Sequence, residues 1–207
     1  MTSAFPEISI STDRLMLRHL VEEDVEPLVA MMDDEAVRSW TALPQPYSAE
    51  DARDWVLRAA PAERTAGRGI AFAVVEDLTQ RLVGVVEVFH TDWRLRSAEA
   101  TAVTAAWARG EGYAAEALAG LAQWLFEDQK FERLEFRTAA GDTAAQQVAQ
   151  KLGCISEGVL RSAWIVRTES GPARSDLIVW SLLPEDLEGL HEHAADGLER
   201  SEYASWD

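Results

Sequence analysis

The chain has 207 residues, 47% of them apolar, a formal net charge of −17 and a single cysteine, Cys154. That length and apolar content fit one folded domain, with or without a tail, and exclude global disorder. The acidic balance excludes a nucleic-acid partner, because phosphate binding needs clustered Lys and Arg. It suits instead a cationic substrate such as a polyamine, an aminoglycoside or a basic protein tail. No apolar run is long enough to span a bilayer, so no membrane partner is expected. Residues 1–7 lack the basic start and apolar stretch of a secretory signal. A lone cysteine forms no internal disulfide, which fits a reducing cytoplasm.

Strands and helices alternate along the chain, the pattern of an α/β architecture. Residues 14–19 read as a first strand, with Leu15 and Leu17 facing one way and Met16 the other. Residues 23–32 read as a helix with Val25, Leu28, Val29 and Met32 on one stripe. Pro44 to Tyr47 is a loop. Ser48 then caps a second helix, with Asp51 completing a capping box, and that helix runs to about Glu63. Residues 70–75 and 82–89 form a strand pair with its turn at 77–80.

A further strand covers about 98–105, and a glycine turn, Arg109-Gly110-Glu111-Gly112-Tyr113-Ala114, leads into a long helix ending near Asp128. On that helix Leu118, Leu121, Ala122 and Leu125 follow helical spacing. Residues 134–138 are a short strand. Asp142 starts another helix, with Ala145, Val148, Ala149 and Leu152 facing inward and Gly153 as its stop. Residues 159–166 and 176–183 read as a closing hairpin, with its turn region at 168–174. Beyond Pro184 the composition becomes acidic. The expected division is a domain over 1–187 and an acidic tail or loosely docked helix over 188–207.

The glycine turn carries the chemistry. A strand ends and a helix begins there, and the first N–H groups of a helix have no partner within it. The helix dipole adds positive charge, so the end attracts anions. Gly110 and Gly112 remove side chains, letting a pyrophosphate approach the backbone. The spacing is neither the dinucleotide fingerprint nor the phosphate-loop lysine motif.

The pattern Arg109-x-x-Gly112-x-Ala114 resembles the signature of the GNAT superfamily of N-acetyltransferases. The longer run from Arg109 to Leu118 resembles its RimJ/RimL-type branch. Three more segments match that branch in order: Thr12-Asp13-Arg14-Leu15-x-Leu17-Arg18; Pro44-x-Pro46-Tyr47-Ser48-x-Glu50-Asp51; and Lys151-Leu152-Gly153-Cys154 followed by Glu157 to Arg161. The resemblance implies a mixed, mainly antiparallel sheet flanked by helices, with a splayed strand pair holding coenzyme A. It implies acetyl-coenzyme A as co-substrate, no metal, an amine-bearing acceptor, and admits a homodimer. By the same resemblance, cofactor contacts would fall on Val103, Thr104 and Ala105 by their backbone, on Arg109, Gly110, Glu111, Gly112, Tyr113 and Ala114 at the turn, and on Asp142.

The implied reaction is attack of a neutral amine on a thioester. Amines with pKa of about 8–10 need a base. Glu99 is the first candidate, since it resembles within about one position the glutamate base of histone-modifying relatives. Glu87, in an apolar run that would raise its pKa, is the second. His90 is a further residue of a proton-exchanging type but more simply ends a strand. Trp40 and Tyr47 flank the Pro44 loop, where relatives shape the acceptor site. Four positions depart from the family pattern: Asp142 where Asn is common, Ala145 for Ser, Ala149 for the general-acid Tyr, and Cys154 for an aromatic. These losses motivate a rival, a catalytically silent acyl-coenzyme A-binding module.

Overall fold

The computed structural model describes residues 4–41, 43, 45–168 and 170–187. Runs of Val, Ile, Leu and Phe at alternating or continuous positions make the strands. They are β1 (Ile10–Ser11), β2 (Leu15–Arg18), β3 (Ile70–Glu76), β4 (Leu82–Asp92), β5 (Ser97–Thr104), β6 (Arg133–Ala139), β7 (Ile155–Thr168) and β8 (Gly171–Leu182). They form one sheet of order β1-β2-β3-β4-β5-β6-β8-β7. Every neighbouring pair is antiparallel except β5 with β6. The expected mixed, mainly antiparallel sheet is present.

The helices are α1 (Val25–Met32), α2 (Glu35–Trp40), α3 (Ala49–Asp54), α4 (Ala60–Thr65), α5 (Tyr113–Glu127) and α6 (Thr143–Lys151). A π-helical stretch, Trp55–Ala59, joins α3 to α4, so the two continue as one helical run. Ser48 caps it as read from the sequence: Ser48 Oγ accepts from Asp51 N–H at 3.1 Å, and Ser48 N–H donates back to the Asp51 carboxylate at 2.9 Å. The short helix α2 has no counterpart among the elements read from the sequence. It starts on an aspartate cap, Asp34, which accepts from Val37 N–H.

The α5 stripe packs across β4 and β5. Leu118, Leu121, Ala122 and Leu125 are buried there with Val86, Val88, Ala98 and Ala100. Complete burial of Leu121 or Leu125 stabilises the fold by about 1.5–3 kcal/mol each. The position of α5, and hence of the glycine turn at its start, is set by this packing.

The terminal hairpin is longer than expected. Residues assigned to its turn region continue the ladder, which closes at Thr168–Gly171. Pro172 and Arg174 therefore lie on β8, because backbone pairing with β7 overrides the weak strand propensity of a Gly-Pro start. Residues 184–187 make a helical turn with Leu187 buried. The acidic segment 188–207 and Pro44 lie outside the described residues.

Candidate active site

Strands β5 and β6 pair for only three residues: Ser97 with Arg133, Ala98 with Leu134 and Glu99 with Glu135. Past Glu99 they part. β5 stays on β4 as far as Thr104, and β6 stays on β8 as far as Ala139. The result is a V-shaped gap with its vertex at Glu99. Ala105 N–H donates to Val83 on the β4 side at 2.9 Å. Strand alternation then turns the backbone groups of Ala100, Ala102 and Thr104 into the gap and those of Val103 toward β4. Of the three residues expected to offer backbone to a cofactor arm, Thr104 is therefore the one so aimed. Val103 borders the gap, and Ala105 is buried outside it.

A cavity of about 430 Å³ fills the gap. Residues 100–104 form one wall, and Asp142, Ala145, Val148 and Ala149 of the α6 segment form another. Ala36, Val37 and Trp40 of α2 border it, and Arg109, Gly110, Gly112, Tyr113 and Ala114 stand at its mouth. Gly110 and Gly112 take φ of 86° and 80°. Both values lie in the left-handed region that glycine adopts without strain. Gly112 caps α5 without any side-chain hydrogen bond, and the first helical bond is from Glu116 N–H to Gly112. Among the described residues, the N–H groups of Tyr113, Ala114 and Ala115 donate to no protein acceptor. A Cβ at Gly110 would meet nothing within 4 Å. Free donors, open space and a helix N-terminus make a fitting cradle for a pyrophosphate.

The charges agree. Arg109, Arg137 and Lys151 line the cavity against one carboxylate, Asp142. In a chain of net charge −17 this is a local reversal of sign. Arg109 is ion-paired with Asp34, which holds that carboxyl below its usual range. Asp142 caps α6, accepting from Ala145 N–H at 3.0 Å. Tyr113 donates its hydroxyl to Glu76 at 2.8 Å and lies against the Arg14 guanidinium. Glu111 is exposed and outside the lining.

At the vertex, Glu99 is buried and faces two partners. His90 Nδ1 is 3.0 Å from its Oε2, and Arg137 Nε is 3.6 Å from the same oxygen. Arg137 also binds Glu135 at 2.8 Å, and Arg133 binds Glu157 at 2.6 Å. Glu87 pairs with Thr101 and shares the Glu99 face of the sheet. It is half-buried, and burial first, then the nearby Glu63 charge, pushes its carboxyl above the usual range.

Trp40 borders the cavity, and its carbonyl accepts from Trp164 Nε1 at 3.1 Å. Tyr47 is in the core, outside the lining, and burial pushes its phenol up to about 12. Cys154 is buried, with a thiol pushed up to about 12 for the same reason. Ala145 and Ala149 bring no hydroxyl to the cavity. Among the described residues no group of three or more His, Cys, Asp or Glu is gathered for a metal ion. Sequence reasoning missed Asp34, α2 and Arg137. An Asp before a short apolar-periodic run was the available signal for α2; Arg137 carried none.

A family model described as an acetyltransferase (GNAT) domain matches residues 14–155. The chain is 26% identical over 179 residues to the SPbeta prophage-derived uncharacterized N-acetyltransferase YokL of Bacillus subtilis, covering 86% of this chain and 95% of the relative. Its fold is similar to that of Mycobacterium smegmatis RimJ in complex with CoA-disulfide, with TM-score 0.80 at 21% identity over 92% of this chain and 95% of the other. It is similar also to the ribosomal-protein-S5-alanine acetyltransferase of Vibrio fischeri, with TM-score 0.74 at 16% identity over 87% and 98%. With a family model over most of its length and the splayed pair and glycine turn in place, the chain belongs to the GNAT acetyltransferase family.

Proposed function

We propose that this protein moves an acetyl group from acetyl-coenzyme A to the primary amine of a small molecule or a protein N-terminus. The observation that carries this reading is the parting of β5 and β6 after Glu99, with the Gly110–Gly112 turn and its free N–H groups at the mouth of the gap. When bound, acetyl-coenzyme A supplies the acetyl group as a thioester. The turn holds the pyrophosphate through backbone N–H groups, aided by Arg109 and Lys151. Ala100, Ala102 and Thr104 present backbone groups to the pantetheine arm. N–H groups of this unpaired edge stabilise negative charge developing on the carbonyl oxygen.

Glu99 at the vertex takes the amine proton, directly or through a water. Glu87 shares its face and is the alternative base. Trp40 and the α2 segment shape the acceptor side. The cations that line the cavity suit the anionic cofactor and do not mark the acceptor class. The Vibrio fischeri neighbour is named for acetylating an alanine of a ribosomal protein. A protein N-terminus is accordingly the first acceptor class to test.

The rival reading, a silent acyl-coenzyme A-binding module, draws on Ala145 and Ala149, which line the cavity without a general-acid hydroxyl. A thiol leaving group of pKa about 8.5 needs little protonation, which favours the enzyme. The test is release of free coenzyme A thiol against peptides with N-terminal alanine or serine, spermidine and an aminoglycoside. Amine-dependent release is expected. Tight coenzyme A binding with no release above the blank supports the silent module.

A further inference from the structure

Strand β4 carries one residue too many beside Glu99. It pairs Val88 with Ala100 and Phe89 with Glu99, then resumes at Asp92 with Ser97. Three steps on β4 answer two on β5, so a bulge sits at His90 and Thr91. His90 takes φ of 50°, in the left-handed region that few non-glycine residues occupy. In an unbroken ladder His90 would point to the face opposite Phe89, and so opposite Glu99. The bulge turns it back. Its Nδ1 comes to 3.0 Å from Glu99 Oε2, while its side chain remains 72% exposed against 11% for Glu99. A buried carboxylate, flanked by the cavity residues Ala100 and Arg137, is thereby joined to a solvent-facing imidazole.

We infer that His90 and Glu99 form a two-member proton relay, with the imidazole as outlet for the proton that Glu99 takes from the acceptor amine. This rests on the acetyl-transfer reading above. As the amine nitrogen bonds to the acetyl carbon and the carbon–sulfur bond breaks, the nitrogen sheds one proton and sulfur keeps the bonding electron pair. The proton passes to the Glu99 carboxylate and then across the 3.0 Å contact to Nδ1. The ring releases its Nε2 proton to water, exchange through water then moves the Nδ1 proton to Nε2 and restores the starting tautomer, and Glu99 is a carboxylate again. The ring stands in solvent and the carboxylate does not, so the transfer runs outward.

The surrounding charges are few and mostly engaged. From β6, Arg137 faces Glu99 but is hydrogen-bonded to Glu135, which also meets Arg133. From β7, Glu157 occupies Arg133. On β4, Asp92 accepts from the N–H groups of Arg94 and Leu95, and Glu87 faces Glu63 of α4. His90 is the one imidazole in contact with Glu99 among the described residues.

The test uses His90→Asn, because asparagine tolerates the left-handed conformation and keeps the bulge while removing proton exchange. Acceptors are peptides with N-terminal alanine or serine, and spermidine. His90→Asn is expected to lower kcat about tenfold or more at pH 7, to leave the acetyl-coenzyme A KM unchanged and to remove one ionisation from the acid limb of the pH profile. Glu99→Gln is expected to fall at least as far, and the double variant no further than Glu99→Gln alone. In the ligand-free protein, the NMR titration midpoint of the His90 ring should move when Glu99 becomes Gln. A wild-type rate and pH profile in His90→Asn, or an unmoved ring midpoint in Glu99→Gln, overturns the relay alone. A wild-type protein that acetylates none of these amines overturns the acetyl-transfer reading and the relay with it.

Discussion

Arg109 of the glycine turn is ion-paired with Asp34, and the same Asp34 carboxylate caps α2 by accepting from Val37 N–H at 3.2 Å. The mouth of the cavity is thus tied to the helix that carries Trp40. A phosphate arriving at the turn competes with Asp34 for the guanidinium. Asp34→Asn keeps the cap and removes the competing charge. Coenzyme A should bind severalfold more tightly to that variant in calorimetry, and unchanged affinity would show that Arg109 makes no phosphate contact. The pair also predicts acid sensitivity. The Asp34 carboxyl is held below its usual range, so its stabilisation is present above the unfolded value of about 3.9 and is lost as pH falls through the lower folded value. Asp34→Asn should lack that part of the acid loss in thermal melts.

Gly112 sits at φ 80°, and a Cβ there would approach nothing closer than Arg14 Nη2 at 3.8 Å. Gly112→Ala therefore meets space but pays about 1–2 kcal/mol for the left-handed conformation. The added methyl also stands beside the free N–H groups of α5. The variant should remain folded with a lowered Tm and bind coenzyme A at least about tenfold more weakly, by the loss of roughly one hydrogen bond to a charged group. Normal binding would put the pyrophosphate elsewhere.

Asp142 lines the cavity and caps α6 through Ala145 N–H. Its carboxylate repels an anionic cofactor and donates no hydrogen bond when ionised. Asp142→Asn preserves the cap and should keep or tighten coenzyme A affinity, with stability changed by less than about 0.5 kcal/mol. A collapse in turnover with binding unchanged would assign chemistry to Asp142.

Glu87 is held above the usual carboxylate range, chiefly by burial. Folding therefore favours its protonated form. Stability should fall as pH rises from the unfolded value of about 4.3 through the raised folded value. Glu87→Gln should melt higher than wild type at pH 7, with the gap closing near pH 4, and should retain most activity if Glu99 is the base. A variant less stable at pH 7 would mean that the ionised carboxylate has a favourable partner.

Cys154 is buried, with its thiol pushed up to about 12. Thiolate is the reactive form, so iodoacetamide at pH 8 should leave the native protein unmodified and label it on unfolding. Rapid native labelling coupled to loss of turnover would contradict this placement.

Much of the fold and the glycine turn of the candidate site were legible in the sequence because they are local. Alternation in Leu15 to Leu17 and the apolar run from Leu82 placed strands whose faces the structure buries. Helical spacing placed α5, and Ser48 with Asp51 marked a start that needs only neighbouring residues. The turn Arg109 to Ala114 was readable for the same reason: left-handed glycines and a helix N-terminus are properties of six consecutive residues.

The sequence by itself determined the α/β alternation, the glycine turn and the resemblance built on them. Only the tertiary structure decided which backbone groups face the gap, since that depends on the register of β5 against β4. It also decided the length of the last hairpin, which pairing extended into a stretch of weak propensity. His90 meets Glu99 because of one extra residue on β4, and a bulge exists only relative to the partner strand. Arg109 meets Asp34 across 75 positions, and Arg137 reaches Glu99 from another strand. Such pairings follow from how separate segments pack, and no local pattern in either segment encodes them.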